Sequence, residues 1–257
     1  MRRFRHTLMI AFAGLMGCAT AVAADTDGFK DEFKYVSQRH WYVSNGWSNG
    51  SHQSCEWRAD AMAATDHGLK LTLSDRGGQV RPIGCPELHT NDKFGYGLYE
   101  TRMRTAEGSG LNTAFFTYVG PPYGGSEHDE IDFEFLGKDP HTVDLTYWTN
   151  GKATEHKVVQ LGFDSSKEFH DYAFDWKPDS ITWYVDGKQV FQSSAGKPQP
   201  HNPGVVAISL WSGSKEEDAW MGHFDYKTPA TAEVTWAAYT PPDAACKFPE
   251  SLKCKQK

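Results

Sequence analysis

Glu127-His128-Asp129-Glu130-Ile131-Asp132-Phe133-Glu134-Phe135-Leu136-Gly137 alternates in kind from one residue to the next. Glu130, Asp132 and Glu134 share one parity, and Ile131, Phe133 and Phe135 share the other. Successive side chains of an extended strand point to opposite faces, so the stretch reads as a strand with three carboxylates on one side and an apolar strip on the other. Like charges on one strand face repel, which marks the acids as groups with chemical work to do. Asp129 has the parity of the apolar strip and is expected near the strand's entry, hydrogen-bonded rather than catalytic.

Working outward, period-2 segments dominate from Asp25 onward, and no amphipathic helix exceeds a turn or two. Gly68–Ser74, Tyr96–Arg104, Asn112–Val119, Thr142–Thr149 and Val205–Trp211 read as strands. Asp171 to Gln192 reads as strand, Lys177-Pro178-Asp179 turn, strand, Asp186-Gly187 hairpin and strand. Regularly spaced short strands of this kind predict an all-β sandwich of two packed antiparallel sheets. Nine Trp, eleven Tyr and fifteen Phe supply rings for the core between them. Trp211 and Trp220, flanked by Gly and polar residues, suit either that core or a platform for a sugar ring.

The start of the chain has a different character. Arg2, Arg3 and Arg5 precede the apolar run Leu8–Met16 and the small residues Ala21-Val22-Ala23-Ala24, so residues 1–24 read as a secretory signal peptide and 25–257 as a single domain with a short tail over 241–257. A rival reading takes Leu15-Met16-Gly17-Cys18 as a lipoprotein site with Cys18 lipidated. No later stretch has the roughly 18–20 apolar residues needed to span a bilayer. Removing residues 1–24 takes away three Arg and no acid, leaving 23 basic against 33 acidic residues, a net charge of −10. That balance argues against nucleic acid and anionic membrane as partners. The remaining cysteines, Cys55, Cys85, Cys246 and Cys254, allow three pairings; closeness in sequence favours Cys55–Cys85 and Cys246–Cys254, the second stapling the tail after Pro241-Pro242. The eleven His show no zinc-ligand spacing.

Residues two apart advance about 6.6–6.8 Å along a strand, so the Cα atoms of Glu130 and Glu134 should lie about 13 Å apart. Side chains leaning inward bring their carboxyls toward the ~5–5.5 Å of a retaining glycosidase. Crowding raises at least one pKa, separating an ionised nucleophile from a protonated acid. Spacing alone does not say which Glu is which.

His128-Asp-Glu-Ile-Asp-Phe-Glu-Phe-Leu-Gly137 resembles the active-site strand of glycoside hydrolase family 16, as in bacterial lichenases and plant xyloglucan endotransglycosylases. Phe94–Arg102, Phe115–Tyr118, Tyr172–Trp176, Trp183–Gly187 and Ser209–Gly213 extend the resemblance over most of Trp41 to Tyr239. It implies a β-jelly-roll with a concave substrate cleft, Glu130 as nucleophile, Glu134 as acid/base and Asp132 tuning the nucleophile. It further implies Asn49, Glu100 and Arg102 as hydroxyl-binding groups, Phe116 and Trp211 as ring platforms, and a disulfide where Cys55 and Cys85 fall.

Departures bear on the substrate. His128 stands where lichenases usually have Trp, Thr146 and Trp148 where Asn and Tyr are usual, and Trp47 replaces a cleft Tyr. His128, Trp148 and Trp220 join the candidate subsite residues. No cofactor is expected, and Thr235 in place of a calcium-binding Asp puts a structural calcium in question. The expected activity is a secreted, monomeric, retaining endo-β-glucanase acting on mixed-linkage β-1,3-1,4-glucan. Xyloglucan transglycosylation or hydrolysis and exopolysaccharide cleavage are the alternatives within the fold, and a carbohydrate-binding lectin is the alternative of another class; intact Glu130, Asp132 and Glu134 argue against the lectin.

Overall fold

A computed structural model describes residues 28–121 and 127–255; the candidate signal peptide, Cys18 and the last two residues of the tail lie outside them. Two antiparallel sheets dominate the described residues. The seven-stranded cleft sheet runs Lys152–Gln160, Thr142–Thr149, Asp129–Leu136, Leu111–Val119, Val205–Ser212, Glu87–Thr90, Trp41–Val43. The eight-stranded back sheet runs Lys188–Gln192, Ile181–Val185, His170–Trp176, Gly97–Arg104, Ala230–Thr240, Gly68–Leu73, Met62–Thr65, with Phe29–Asp31 paired to Ala230–Thr240. Neighbours in each sheet are often far apart in sequence, which gives the sandwich that the strand pattern predicts the jelly-roll connectivity that the resemblance implies.

The apolar parity of Asp129–Leu136 faces the back sheet. Ile131, Phe133 and Phe135 are fully buried. Phe135 meets Tyr172 edge-on at 4.7 Å between ring centres, and Phe133 lies 5.6 Å from Tyr172 and 6.4 Å from Phe174. Burial of each such side chain stabilises by about 2 kcal/mol, more than the few tenths to 1 kcal/mol that adjacent like charges on the other face cost. A polar contact joins the sheets as well: the buried indole of Trp183 donates to the Asp132 carbonyl at 3.1 Å.

The Asp186-Gly187 turn forms as predicted, with φ of 48° and 77°, and Asn150-Gly151 makes a second hairpin of the same kind at 50° and 74°. Both sequence-paired disulfides are present, with Cα separations of 5.8 Å for Cys55–Cys85 and 5.1 Å for Cys246–Cys254.

The placement of Glu100 and Arg102 corrects the sequence reading. They do share a face, but it is the outer face of the back sheet, away from the cleft. There the C-terminal tail covers Glu100, with Ser251 Oγ and the Leu252 amide each donating to its carboxylate at 2.7 Å, while Arg102, partly exposed, donates through Nη1 to Asp171 at 2.9 Å. Leu252 packs with Leu98, Ala173 and Tyr184, and Phe248 meets Trp236 edge-on at 5.6 Å. Parity locates a side chain on one of two faces; it does not say which sheet the strand joins.

Glu100 is therefore a latch for the tail. Glu100→Ala is expected to destabilise the folded chain by about 1–3 kcal/mol, because it leaves two donors unmatched. Hydrogen exchange should show the loss of protection concentrated over 248–255, with the amides of Asp129–Leu136 unaffected.

Candidate active site

The ladder around Asp129–Leu136 determines which side chains stand together. Glu130 pairs with Tyr118 on one side and Trp148 on the other, Asp132 with Phe116 and Thr146, and Glu134 with Ala114 and Asp144. Continuing outward, Phe116 is followed by Ala207 and His89, Ala114 by Ser209 and Glu87, and Thr146 by His156. Directly paired residues share a face, so these rows form a floor with the acids at its middle. That floor lies under a cleft of about 960 Å³. Trp47, Ser48, Asn49, His52, Trp57, Trp211, Glu217 and Trp220 complete its walls.

Of the residues singled out from sequence, Glu130, Asp132, Glu134, Asn49, Phe116, His128, Trp148, Trp211 and Trp220 line this cleft, and Glu100 and Arg102 do not. Trp211 and Trp220 form part of its wall, 6.2 Å apart at 48°. Asn49 accepts from the Trp57 indole at 3.1 Å. Glu87 and His89 went unnoticed, although they too are two residues apart, follow directly on Cys85-Pro86, and occupy the cleft that Glu100 and Arg102 were expected to reach. Their signal was a short same-parity polar pair next to a disulfide. Asp144 and His156 were also missed, Asp144 in a strand read for its apolar residues and His156 in an exposed edge strand without a core face.

Asp129 is buried at the entry of its strand, as expected. It accepts from the backbone amides of Asn150, His201 and Asn202 at 3.0–3.1 Å and from Asn202 Nδ2 at 2.9 Å. Burial by itself raises its pKa, but these donors outweigh it and hold the carboxyl below the usual range.

The acids of the other face divide. Burial pushes Asp132 well above the carboxylate range, and the charges of Glu130 and Glu134 and a hydrogen bond with Glu130 add to the rise. Burial likewise lifts Glu134 to about 8, helped by Glu130, Asp144 and Glu217 and opposed by the Asn112 amide, which donates to Glu134 Oε1 at 3.0 Å. Glu130 meets His128 instead: Nε2 lies 2.6 Å from Glu130 Oε2, and the imidazole stacks on Trp148 at 5.3 Å and 15°. That hydrogen bond raises the His128 pKa, against burial. The site thus holds two protonated carboxyls beside a carboxylate with an imidazole donor, an arrangement able to deliver a proton and a nucleophile to opposite ends of one bond.

A fourth acid, Glu87, is buried at the side of the floor, and burial raises it to about 7 although the Ser44 hydroxyl donates to it at 2.6 Å. No group of three or more His, Cys, Asp or Glu suited to a metal ion occurs among the described residues. At 235, where a calcium-binding carboxylate would be needed, the Thr hydroxyl donates to the Arg102 carbonyl at 3.2 Å. These residues do not fit a carboxylate-held calcium.

Comparison with known proteins agrees with this geometry. The model of the family described as Glycosyl hydrolases family 16 matches residues 49–237. A β-glucanase of Paenibacillus macerans is 40% identical over 235 residues, 91% of this chain and 96% of that protein. The endo-1,3-1,4-β-glycanase ExoK of Rhizobium meliloti (strain 1021) is 39% identical over 227 residues, 88% of this chain and 84% of that protein. Among solved structures, a prokaryotic β-1,3-1,4-glucanase (lichenase) derived from a mouse hindgut metagenome matches with a TM-score of 0.79 at 40% identity, covering 84% of this chain and 99% of its own. Bacillus licheniformis β-glucanase matches at 0.77 and 38%, covering 83% and 98%.

The buried acids make stability depend on pH in a stated direction. Between about 4.5, the unfolded value, and about 7, the folded value, Glu87 keeps a proton in the native state that the unfolded chain has lost, so stability falls as pH rises through that window. Glu87→Gln preserves the acceptor for Ser44 and removes this contribution, about 3 kcal/mol at most. Urea midpoints at pH 5 and pH 8 should therefore differ less for the variant than for the parent, and an unchanged difference would count against a protonated Glu87.

Proposed function

The chain belongs to the glycosyl hydrolases of family 16, and we propose that it is an exported endo-β-glucanase that cuts mixed-linkage β-1,3-1,4-glucan with retention of anomeric configuration. It is a glycoside hydrolase of the licheninase type, similar over most of its length to β-glucanases and to lichenase structures. The observation that carries the mechanism is the row Glu130, Asp132 and Glu134 on the floor of one cleft, where burial and mutual charge raise the pKa of Asp132 and Glu134.

In the first step a Glu130 carboxylate oxygen bonds to the anomeric carbon. The bond from that carbon to the glycosidic oxygen breaks, and the oxygen keeps the electron pair and takes the proton of Glu134. The product is a glycosyl ester of Glu130 and a freed chain end. In the second step water bonds to the anomeric carbon and gives its proton to Glu134, now a carboxylate, while the ester bond breaks and Glu130 regains its charge. Two displacements at one carbon restore the starting configuration. Asp132, protonated beside Glu130, donates a hydrogen bond to the nucleophile, keeping its charge tolerable in a buried site and easing its departure from the ester.

Export rests on residues 1–24 as a signal peptide, with 25–257 as a single catalytic domain, and the two disulfides suit an oxidising compartment. All three acids come from one chain, so a monomer suffices for the chemistry. Aromatic rings and hydrogen-bonding side chains along an open cleft suit a polysaccharide threaded through it.

Sizing the products from lichenan, laminarin and xyloglucan tests the substrate: oligosaccharides from lichenan in preference to the others are expected, and cleavage of xyloglucan alone would overturn the reading. NMR of the first products should show the β-anomer before mutarotation. Glu134→Ala should lose several orders of magnitude on glucan but far less on aryl glycosides whose leaving groups need no proton, because general acid help is worth roughly 10²–10⁴-fold. With the acid titrating near 8, kcat/KM on glucan should fall above about pH 8.

A further inference from the structure

The double displacement gives no part to Asp144, a buried acid in the row of Glu134. Asp144 stands directly across the ladder from Glu134, on the same face of the sheet, with its side chain 6% exposed. Its Oδ2 accepts from two rings: His156 Nε2 on the adjoining strand and the Trp220 indole Nε1, each at 3.0 Å. Trp220 belongs to the short helix Asp218–Met221, beyond the end of the cleft sheet, and its carbonyl receives the Lys138 ammonium. Asp144 therefore ties that helix to the strand beside the acid.

Stability alone is a poor reason for this arrangement. His156 is half exposed, and a pair of that kind contributes about 0–1 kcal/mol, whereas placing a second carboxylate next to Glu134 carries a repulsion that burial enlarges. The placement makes sense if the repulsion and the tether are both used. We propose that Asp144 is a positioning residue for the acid step, holding the Trp220 indole in the cleft wall beside Glu134 and, through a negative charge opposite that residue, keeping the acid's proton in place until the leaving oxygen takes it. This rests on the reading of Glu134 as the acid.

The other groups facing Glu134 do not do the same work. Glu130 comes from its own strand and also repels its charge, but it is committed to the nucleophilic half of the reaction, and Asp132 beside it keeps its own proton. Asn112 donates to Glu134 and acts in the opposite sense. Ser209 and Glu87 continue its row on the far side, and Glu217, partly buried, adds its charge from the Lys215–Glu217 turn but has no ladder position opposite the acid. His156 opposes Asp144 from behind, at the solvent edge. Asp144 alone combines burial, a ladder position opposite the acid, and a bond to the wall.

Asp144→Asn keeps an acceptor for the Trp220 indole and removes the charge, while Asp144→Ala removes both. In the full chain labelled with ¹³C at Glu carboxyls, with the Glu134 signal identified by its loss in Glu134→Gln, the Glu134 midpoint is expected to fall by on the order of one pH unit in Asp144→Asn. The alkaline limb of kcat/KM on lichenan should move down with it at nearly unchanged KM, whereas Asp144→Ala should raise KM in addition. An unmoved Glu134 midpoint in folded Asp144→Asn overturns the electrostatic role, and equal KM in both variants overturns the tether. Should Asp144→Asn fail to fold, Asp144→Ser carries the same readout. The titration needs no substrate, so it decides the electrostatic role even if the parent cleaves no glucan, an outcome that would sink the proposed activity instead; in that case an unchanged Trp220 fluorescence in Asp144→Ala overturns the tether.

Discussion

The site depends on one strand having two incompatible faces. Ile131, Phe133 and Phe135 are locked against Tyr172 and Phe174, and the Trp183 indole holds the backbone carbonyl of Asp132 itself. Slipping the register by one residue would turn three acids into that aromatic core, so the packing behind the strand fixes the positions of the carboxyls in front of it. The acids need no loop to hold them. They stand on backbone paired to a strand on each side and packed from behind, which is what a reaction sensitive to fractions of an ångström requires.

Protonation then resolves the crowding that register enforces. Three adjacent acids do not carry three charges: burial keeps protons on Asp132 and Glu134, and the charge of Glu130 reinforces both. Glu130, its side chain 20% exposed, has the His128 donor. Environment thus assigns different tasks to chemically similar groups, and the same repulsion that makes the strand unusual as a sequence keeps the acid loaded with its proton.

Much of this was legible beforehand because strand alternation reports faces directly. The carboxylate strand, the Asp186-Gly187 hairpin, the sandwich and both disulfides follow from parity, turn chemistry and cysteine spacing. Parity failed where it was asked for more than faces. Glu100 and Arg102 share a side but belong to the back sheet, whereas Glu87 and His89 offer the same spacing in a four-residue strand too short to stand out. Ala230–Thr240, the longest strand described, escaped for another reason: its register shifts between Val234 and Trp236, so the alternation set by Ala232 and Val234 does not continue into Trp236, Ala237 and Ala238. Lys152–Gln160 lies at the sheet edge, largely exposed, and has no core face to betray it. The tail's docking on Glu100 depends on contacts about 150 residues apart in sequence.

The composition of the cleft bears on which polymers can occupy it. None of the described residues lining it is Lys or Arg, while Glu87, Glu130, Asp132, Glu134 and Glu217 all face it. A chain bearing carboxylates or other anionic substituents would meet that field without a permanent counter-charge, and the penalty grows as water is displaced. A neutral glucan offers hydroxyls instead, each able to donate to a carboxylate or accept from a protonated acid such as Glu87, and flat sugar faces that suit Trp47, Phe116, Trp148 and Trp211. If Glu134 is the acid proposed above, the burial that favours a proton on it also favours one on Glu87, which then meets a sugar hydroxyl as a donor rather than as a charge. Selection for a neutral polymer and readiness for acid catalysis have a common physical origin: carboxyls placed where ionisation is expensive.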